Sequence, residues 1–414
     1  MSEPFIALFN YGGGIRGLVP ARIMARIEEV TGLPMTDMVD LFAGPSTGSI
    51  LNAALNRPDP HKPGRPLYKA RHLVRFYEQE GHKIFPPDRF REFRGIVHDF
   101  NNRTLKLNQL KSLFRHGHYD PTNLAHALRS LYGDTKLSQS LSSLIIPTYN
   151  IDGEQLAVVQ EKGEGEDAPV HTRNNVTDEG GHALWMKHIR HDHPHGAGRQ
   201  TPDVRLFDAV MASTSAPTYF PCHHFKIRDH HSLRRREVTG IDGVIFDNPC
   251  ISYHGAIRPH VPPDRELVMI CLGTGYTNRS VKKEDWNRFG ALGIVDPMND
   301  MPLVNIFFHA SESALMDAFS EELGENLFFF NKTLLPRHTH GGMPSIQIDD
   351  ASPDNLRRLA RFAEELLEEN KNAFDGLCHL LVKGRDRREK TKKQKAPRYF
   401  VRLFDRRKKT GKAG

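Results

Sequence analysis

The sequence predicts an α/β fold around a central, mostly parallel sheet, and three observations predict it. Short apolar runs alternate with longer amphipathic segments along most of the 414 residues. The runs "FIALF" (from Phe5), "LIIPTYNI" (from Leu144) and "VMICL" (from Val268) are nearly continuous, as strands buried on both faces read. Two of the early runs end in glycine turns, "YGGGIRG" and "GPSTG", and each turn opens into a helical pattern.

Taken in order, Phe5–Phe9 reads as a buried strand bounded by Asn10 and glycines. Leu18–Val30 reads as a helix with apolar residues at Leu18, Ile23, Ile27 and Val30, and with Pro20 near its start, where proline is tolerated. Met38–Ala43 is a second apolar run, and "SILNAAL" after Gly48 begins a helix. Arg57–Pro66, rich in Pro, Gly and His, reads as a loop, and Leu67–Ile84 as a helix. Tyr119–Leu144 holds at least one helix, and Leu144–Ile151 is a central strand. Residues 161–201 are polar, Gly- and His-rich and without period, which suits a mobile insertion or lid. Val268–Gly275 is a further strand running into a glycine turn. Met301–Leu323 and Pro353–Asn370 read as amphipathic helices, the second with Ser352 as N-cap and Pro353 at its first position. One domain over 1–382 and a basic, disordered tail over 383–414 are therefore expected.

Charge supports that division. The chain carries a formal +7, yet the stretch from Lys383 to Gly414 alone contributes about +12, leaving the rest mildly acidic. This is an ordinary domain with a basic extension, not a nucleic-acid-binding fold, and no nucleic-acid partner is expected. Four scattered cysteines, Cys222, Cys250, Cys271 and Cys378, form neither a disulfide framework nor a metal-ligand spacing. No basic leader precedes "PFIALF" and no run is long enough to span a bilayer. A reducing, cytoplasmic setting is the expectation, with secretion by a leaderless route left open.

Gly44-Pro45-Ser46-Thr47-Gly48 fits G-x-S-x-G in a strand–turn–helix context, the setting in which that motif lifts a serine hydroxyl off a sheet end. A Ser/Thr/Gly helix entry without chemistry fits the same five residues. The backbone N–H groups of Gly12, Gly13 and Gly14 suit an oxyanion hole. They also suit a phosphate cradle, although Gly-Ile-Arg-Gly replaces the Gly-Lys-Ser/Thr of a phosphate loop. A dinucleotide fingerprint on Gly12, Gly14 and Gly17, with Asp37 as its acid, is the remaining formal match. A nucleophilic serine needs a base, and none of the 23 histidines has a context that marks it. The run "HIRHDHPHG" lacks a spacing that gathers metal ligands, and surface loop histidines explain it. Asp242-Gly243 reads as a turn entering a strand-like segment.

In order along the chain, Gly12-Gly13-Gly14-Ile15-Arg16-Gly17, Gly44-Pro45-Ser46-Thr47-Gly48 and Asp242-Gly243 resemble the three motifs of the patatin-like phospholipase family. "MASTSAPTYFP" (Met211–Pro221), "LGTG" (Leu272–Gly275) and "IDDASPDNL" (Ile348–Leu356) are similar to family segments as well, so the resemblance spans about residues 4–380. It implies a three-layer α/β/α fold and a serine lipid acyl hydrolase of phospholipase A type, without metal or organic cofactor. Ser46 would be the nucleophile and Asp242 the base of a Ser–Asp dyad. Gly12, Gly13 and Gly14 would form the oxyanion hole, Arg16 would shape the glycine loop, and Thr47 would support the elbow. Its partners would be membrane phospholipids or other acyl-ester lipids. Tyr11, Pro45 and Val244 stand where the family commonly has Asp, Thr and a small residue; none of them removes a catalytic atom. A catalytically silent lipid- or partner-binding module of the same fold is the alternative. In the tail, residues 398–409 ("RYFVRLFDRRKK") interleave aromatics with Arg and Lys, a pattern suited to peripheral docking on an anionic membrane surface.

Overall fold

The computed structural model describes residues 3–85, 119–152, 181–190, 204–217, 219–228, 235–276, 283–284, 286–287, 302–334 and 342–395. Its strands are β1 (Phe5–Asn10), β2 (Leu41–Ala43), β3 (Pro58–Asp59), β4 (Lys62–Pro66), β5 (Ser143–Asp152), β6 (His182–His188), β7 (His223–Arg228), β8 (Arg235–Ile241), β9 (Leu267–Leu272) and β10 (Leu327–Phe330). The main sheet runs β10-β9-β1-β2-β5-β8-β7, with β6 also paired to β5. Pairs from β10 through β5 are parallel; β6, β8 and β7 add antiparallel partners. Every residue of β1 is buried, which is why it reads as an unbroken apolar run.

Alternate residues of the central strands feed two cores. Ile6 and Leu8 of β1, and Val268, Ile270 and Leu272 of β9, pack on one face with α1 (Leu18–Thr31), α2 (Met35–Met38), α3 (Ser46–Asn56), α4 (Ala70–Ile84), α5 (Pro121–Tyr132) and α6 (Leu206–Ser213). Phe5, Ala7 and Phe9, with Met269 and Cys271, pack on the other face against α7 (Pro249–Ser252) and α8 (Pro302–Leu323). In α8, Leu315, Met316, Phe319 and Leu323 form the apolar stripe. α9 (Pro353–Glu369) and α10 (Lys371–Lys395) join the first face through Leu359, Phe362, Leu377 and Leu381. These are the three layers that the family resemblance implies.

Helix ends follow the expected chemistry. Ser352 caps α9, its Oγ accepting from the Asn355 N–H at 3.3 Å, with Pro353 in the first turn. A capping carboxylate that the sequence reading does not single out is Glu28. It is 9 % exposed, and its Oε1 accepts from the Met35 N–H at 3.0 Å and its Oε2 from the Ala70 N–H at 2.8 Å. One carboxylate thus closes the first turns of both α2 and α4. Burial raises its pKa, and the two N–H bonds pull it back. Glu28→Ala is expected to cost about 2–4 kcal/mol by stranding two buried donors. Glu28→Gln, which keeps one acceptor, loses less; urea denaturation of both variants checks the order.

Several expectations need correction. Arg57–Pro66 is not an irregular loop but the β3–β4 hairpin, in which an antiparallel pairing survives the prolines at its edge. Met38 ends α2, so only Leu41–Ala43 is strand. Within 161–201, His182–His188 is a sheet strand, anchored by buried Leu184 and Met186; the remainder of that segment, apart from Gly181, Ile189 and Arg190, lies outside the described residues. The strand at the Asp-Gly step precedes it, as β8, and Gly243–Phe246 is a 3-10 turn. The tail is helical as far as Lys395, because α10 continues through Lys383, while 398–409 lies outside the described residues.

The pairing of β5 positions the site. On one edge, β2 runs parallel along Ser143–Ile145 and β8 runs antiparallel from Tyr149. β6 occupies the other edge, from Leu144 to Asn150. β2 and β8 therefore approach each other end to end along one edge. Their C-terminal ends meet opposite Ile146–Thr148, and each is followed at once by one of the two motifs, Ser46 after β2 and Asp242 after β8.

Candidate active site

Ser46 opens α3 with φ 51°, and among the described residues no other non-glycine residue has a positive φ. Such a backbone costs about 1–3 kcal/mol and persists only where its surroundings dictate it. The flanking glycines are part of that dictation: a Cβ on Gly44 or Gly48 would overlap the Asn10 carbonyl oxygen at the end of β1. Asn52 reinforces the contact from α3. Its Oδ1 accepts from Asn10 Nδ2 at 2.6 Å and its Nδ2 donates to the Ala43 carbonyl at 2.8 Å. Pro45 sits in extended backbone, at φ −87° and ψ 171°. The Ser46 N–H donates to Ser213 Oγ at 3.1 Å, and Ser213 in turn donates to the Pro147 carbonyl at 2.6 Å.

Asp242 follows β8 and is 2 % exposed. Its Oδ2 accepts the Ser46 hydroxyl at 2.8 Å, and its Oδ1 accepts the Val244 N–H at 2.8 Å. Burial pushes its pKa up from 3.8 to about 7, against the pull of those two hydrogen bonds. Val244 meets Asp242 through its backbone N–H. Gly243 is glycine because a Cβ there would overlap the Pro147 carbonyl oxygen. Among the described residues no histidine bonds to Ser46 or Asp242.

The glycine loop abuts Ser46: a Cβ on Gly12 would lie 3.2 Å from Ser46 Cβ. Gly13 (φ 147°) and Gly14 (φ 56°) take conformations that favour glycine. The Gly12 N–H is already engaged, donating to Asp247 Oδ1 at 2.8 Å. Among the described residues the N–H groups of Gly13 and Gly14 have no partner. Tyr11 does not crowd this loop. It is buried in the opposite core, edge-on to Phe9 with ring centroids 5.2 Å apart and to Phe329 at 6.3 Å. Arg16 donates its backbone N–H to the Gly13 carbonyl at 3.1 Å. Burial pushes its guanidinium pKa down to about 10, opposed by Asp247 and Tyr219, so it stays charged at neutral pH. Thr47 is buried and meets the Tyr77 hydroxyl. Gly17 has no room for a side chain because that pair lies against it.

The other sequence candidates fall elsewhere. Asp37 pairs with Arg65 of the hairpin at 3.0 Å. His188 ends β6, and His191, His193 and His195 lie outside the described residues. Among the described residues no three His, Cys, Asp or Glu side chains gather as a metal site. No helix among them is long and apolar enough to cross a membrane. Three neighbours of the site escape the motif reading: Ser213, inside "MASTSAPTYFP", Thr274, inside "LGTG", and Asp247, in "FDNP". A local signal was available for Thr274, which stands between Gly273 and Gly275, and for Asp247, which lies four residues after the Asp242-Gly243 step; Ser213 has neither beside it.

Comparison with known proteins bears on all of this. A family model described as "Patatin-like phospholipase" matches residues 11–253. Patatin-like protein 2 of Arabidopsis thaliana is 27% identical, over 90% of this chain and 88% of its own length. Patatin-T5 of Solanum tuberosum is 22% identical, over 89% of this chain and 85% of its own. Among solved structures, human GIVD cytosolic phospholipase A2 matches with a TM-score of 0.39 and 11% identity, over 92% of this chain and 60% of that one. The family match spans more than half of the sequence and takes in the glycine loop, the serine elbow and Asp242 together: the chain belongs to the patatin-like phospholipase family.

Proposed function

We propose that this protein hydrolyses acyl esters of membrane lipids in the manner of a phospholipase A, through a Ser46–Asp242 dyad. Family membership supports a lipid acyl hydrolase in general. The observation that carries the finer assignment is the 2.8 Å hydrogen bond from Ser46 Oγ to Asp242 Oδ2, made by a serine on a strained elbow. Ser46 Oγ attacks the ester carbonyl carbon while its proton passes to Asp242 Oδ2. Negative charge then develops on the carbonyl oxygen. The N–H groups of Gly13 and Gly14 receive it, each such donor being worth about 3 kcal/mol. The tetrahedral species collapses as Asp242 returns the proton to the departing alcohol. Water repeats the sequence on the acyl-serine, again with Asp242 as base, and frees the fatty acid.

A buried carboxylate with a pKa near 7 suits this role, because a base works best when its pKa lies close to the operating pH. Lipid is the partner class this implies, with 398–409 as the proposed contact to an anionic leaflet, peripheral rather than spanning. A fluorophosphonate probe tests the nucleophile: wild type is labelled on Ser46 and Ser46→Ala is not. Equal labelling of both proteins contradicts the assignment.

A further inference from the structure

Three consecutive peptide planes of the glycine loop are held from outside the loop's own turn or across it. The Gly12 N–H donates to Asp247 Oδ1 at 2.8 Å. The Gly12 carbonyl accepts from Thr274 Oγ1 at 2.7 Å. The Gly13 carbonyl accepts from the Arg16 N–H at 3.1 Å. A trans peptide is planar, so its N–H points opposite its C=O. Fixing the Gly12 carbonyl therefore fixes the direction of the Gly13 N–H, and fixing the Gly13 carbonyl fixes that of Gly14.

We propose that Thr274 and Asp247 are positioning residues that clamp Gly12 from its two ends and so aim the Gly13 and Gly14 donors at the reacting carbonyl oxygen. The inference rests on the hydrolase reading above. It assigns the first glycine of the loop to anchoring rather than to oxyanion binding, since a carboxylate already occupies its N–H.

The two anchors suit the task. Thr274 is 3 % exposed and lies in the glycine turn after β9, packed so closely on Gly13 that a Cβ there would approach its Oγ1 to 2.5 Å. A buried hydroxyl held in one place makes a rigid anchor. Asp247 follows the 3-10 turn that Asp242 caps, its N–H bonded to the Val244 carbonyl at 2.9 Å. The same short turn therefore carries the dyad's base at one end and the loop's anchor at the other. The buried Arg16 guanidinium interacts favourably with the Asp247 charge, which holds the carboxylate in place beside a site where negative charge develops.

The experiment compares kcat and KM for fatty-acid release from mixed phospholipid vesicles, with thermal melts of every protein. Thr274→Val keeps the shape and removes the hydroxyl; kcat is expected to fall about 10- to 100-fold with KM little changed, as for a misaimed donor. Thr274→Ser restores the hydroxyl and recovers most of that loss, which a packing role would not predict. Asp247→Ala lowers kcat in the same way, and Asp247→Asn, whose amide oxygen still accepts the Gly12 N–H, recovers it. The midpoint of the pH–kcat profile stays at its wild-type value in all four, because the base is untouched. Wild-type kcat in Thr274→Val, or no recovery in either conservative variant, overturns the clamp while leaving the dyad standing. Should Thr274→Val fail to fold, the Asp247 pair decides by the same criterion. Release by Ser46→Ala equal to wild type overturns the hydrolase reading itself, and the clamp with it.

Discussion

Asp242→Asn melts at a higher temperature than wild type at pH 8 and releases no fatty acid above background. Both effects come from one cause. Asp242 is 2 % exposed, and burial raises its pKa from 3.8 to about 7. A carboxyl whose pKa is higher folded than unfolded binds its proton more tightly in the folded state. Its contribution to stability is therefore fully present below pH 3.8 and is lost as pH rises through about 7. Above that pH the protein holds a buried charge, and the displacement corresponds to about 4 kcal/mol at most. Asparagine keeps an acceptor for the Val244 N–H and carries no charge, so a gain of about 1–3 kcal/mol is expected. The gain is largest above pH 7 and vanishes near pH 4, and melting both proteins across that range measures it. The same ionisation sets the activity of the wild type: kcat/KM rises with pH and levels off above about 7. A variant that is less stable than wild type at pH 8 contradicts the burial account.

Ser46→Ala and Ser46→Gly each lose hydrolysis by at least about 10⁴-fold, and they separate in stability. Removing the nucleophile of a group that acts as a unit forfeits nearly all of its contribution. Alanine retains the cost of φ 51° at position 46, whereas glycine adopts that conformation freely. Ser46→Gly is therefore expected to be about 1 kcal/mol more stable than Ser46→Ala. Parallel urea melts read the difference. Equal stability would mean that the elbow stores no strain.

Much of this architecture is legible in the sequence because the parallel strands are buried on both faces. Phe5–Phe9 and Val268–Leu272 have no polar side to obscure them. β6 is harder to read: only Leu184 and Met186 of its residues are buried, in a stretch otherwise dominated by polar residues and histidine. β8 ends at the Asp-Gly step, and the apolar residues beyond that step, Val244 to Phe246, belong to a 3-10 turn that mimics a strand in composition.

The Ser46–Asp242 pair is legible for a different reason. Ser46 and Asp242 each sit in a short local motif, and the topology only has to bring the two motifs together. The anchors of the glycine loop have no such local mark. Asp247 and Thr274 reach Gly12 across 235 and 262 residues of chain, and nothing in "FDNP" or "LGTG" specifies which backbone atom they meet. Tyr11 shows the same limit from the other side. Its bulk beside the first glycine suggests crowding, but strand alternation turns the ring into the opposite core against Phe329.

The most direct test is fatty-acid release from mixed phospholipid vesicles by wild type, Ser46→Ala and Asp242→Asn, side by side at pH 8. Release by wild type alone, with both variants at background, is the predicted result. Equal release by all three proteins would contradict the Ser46–Asp242 dyad.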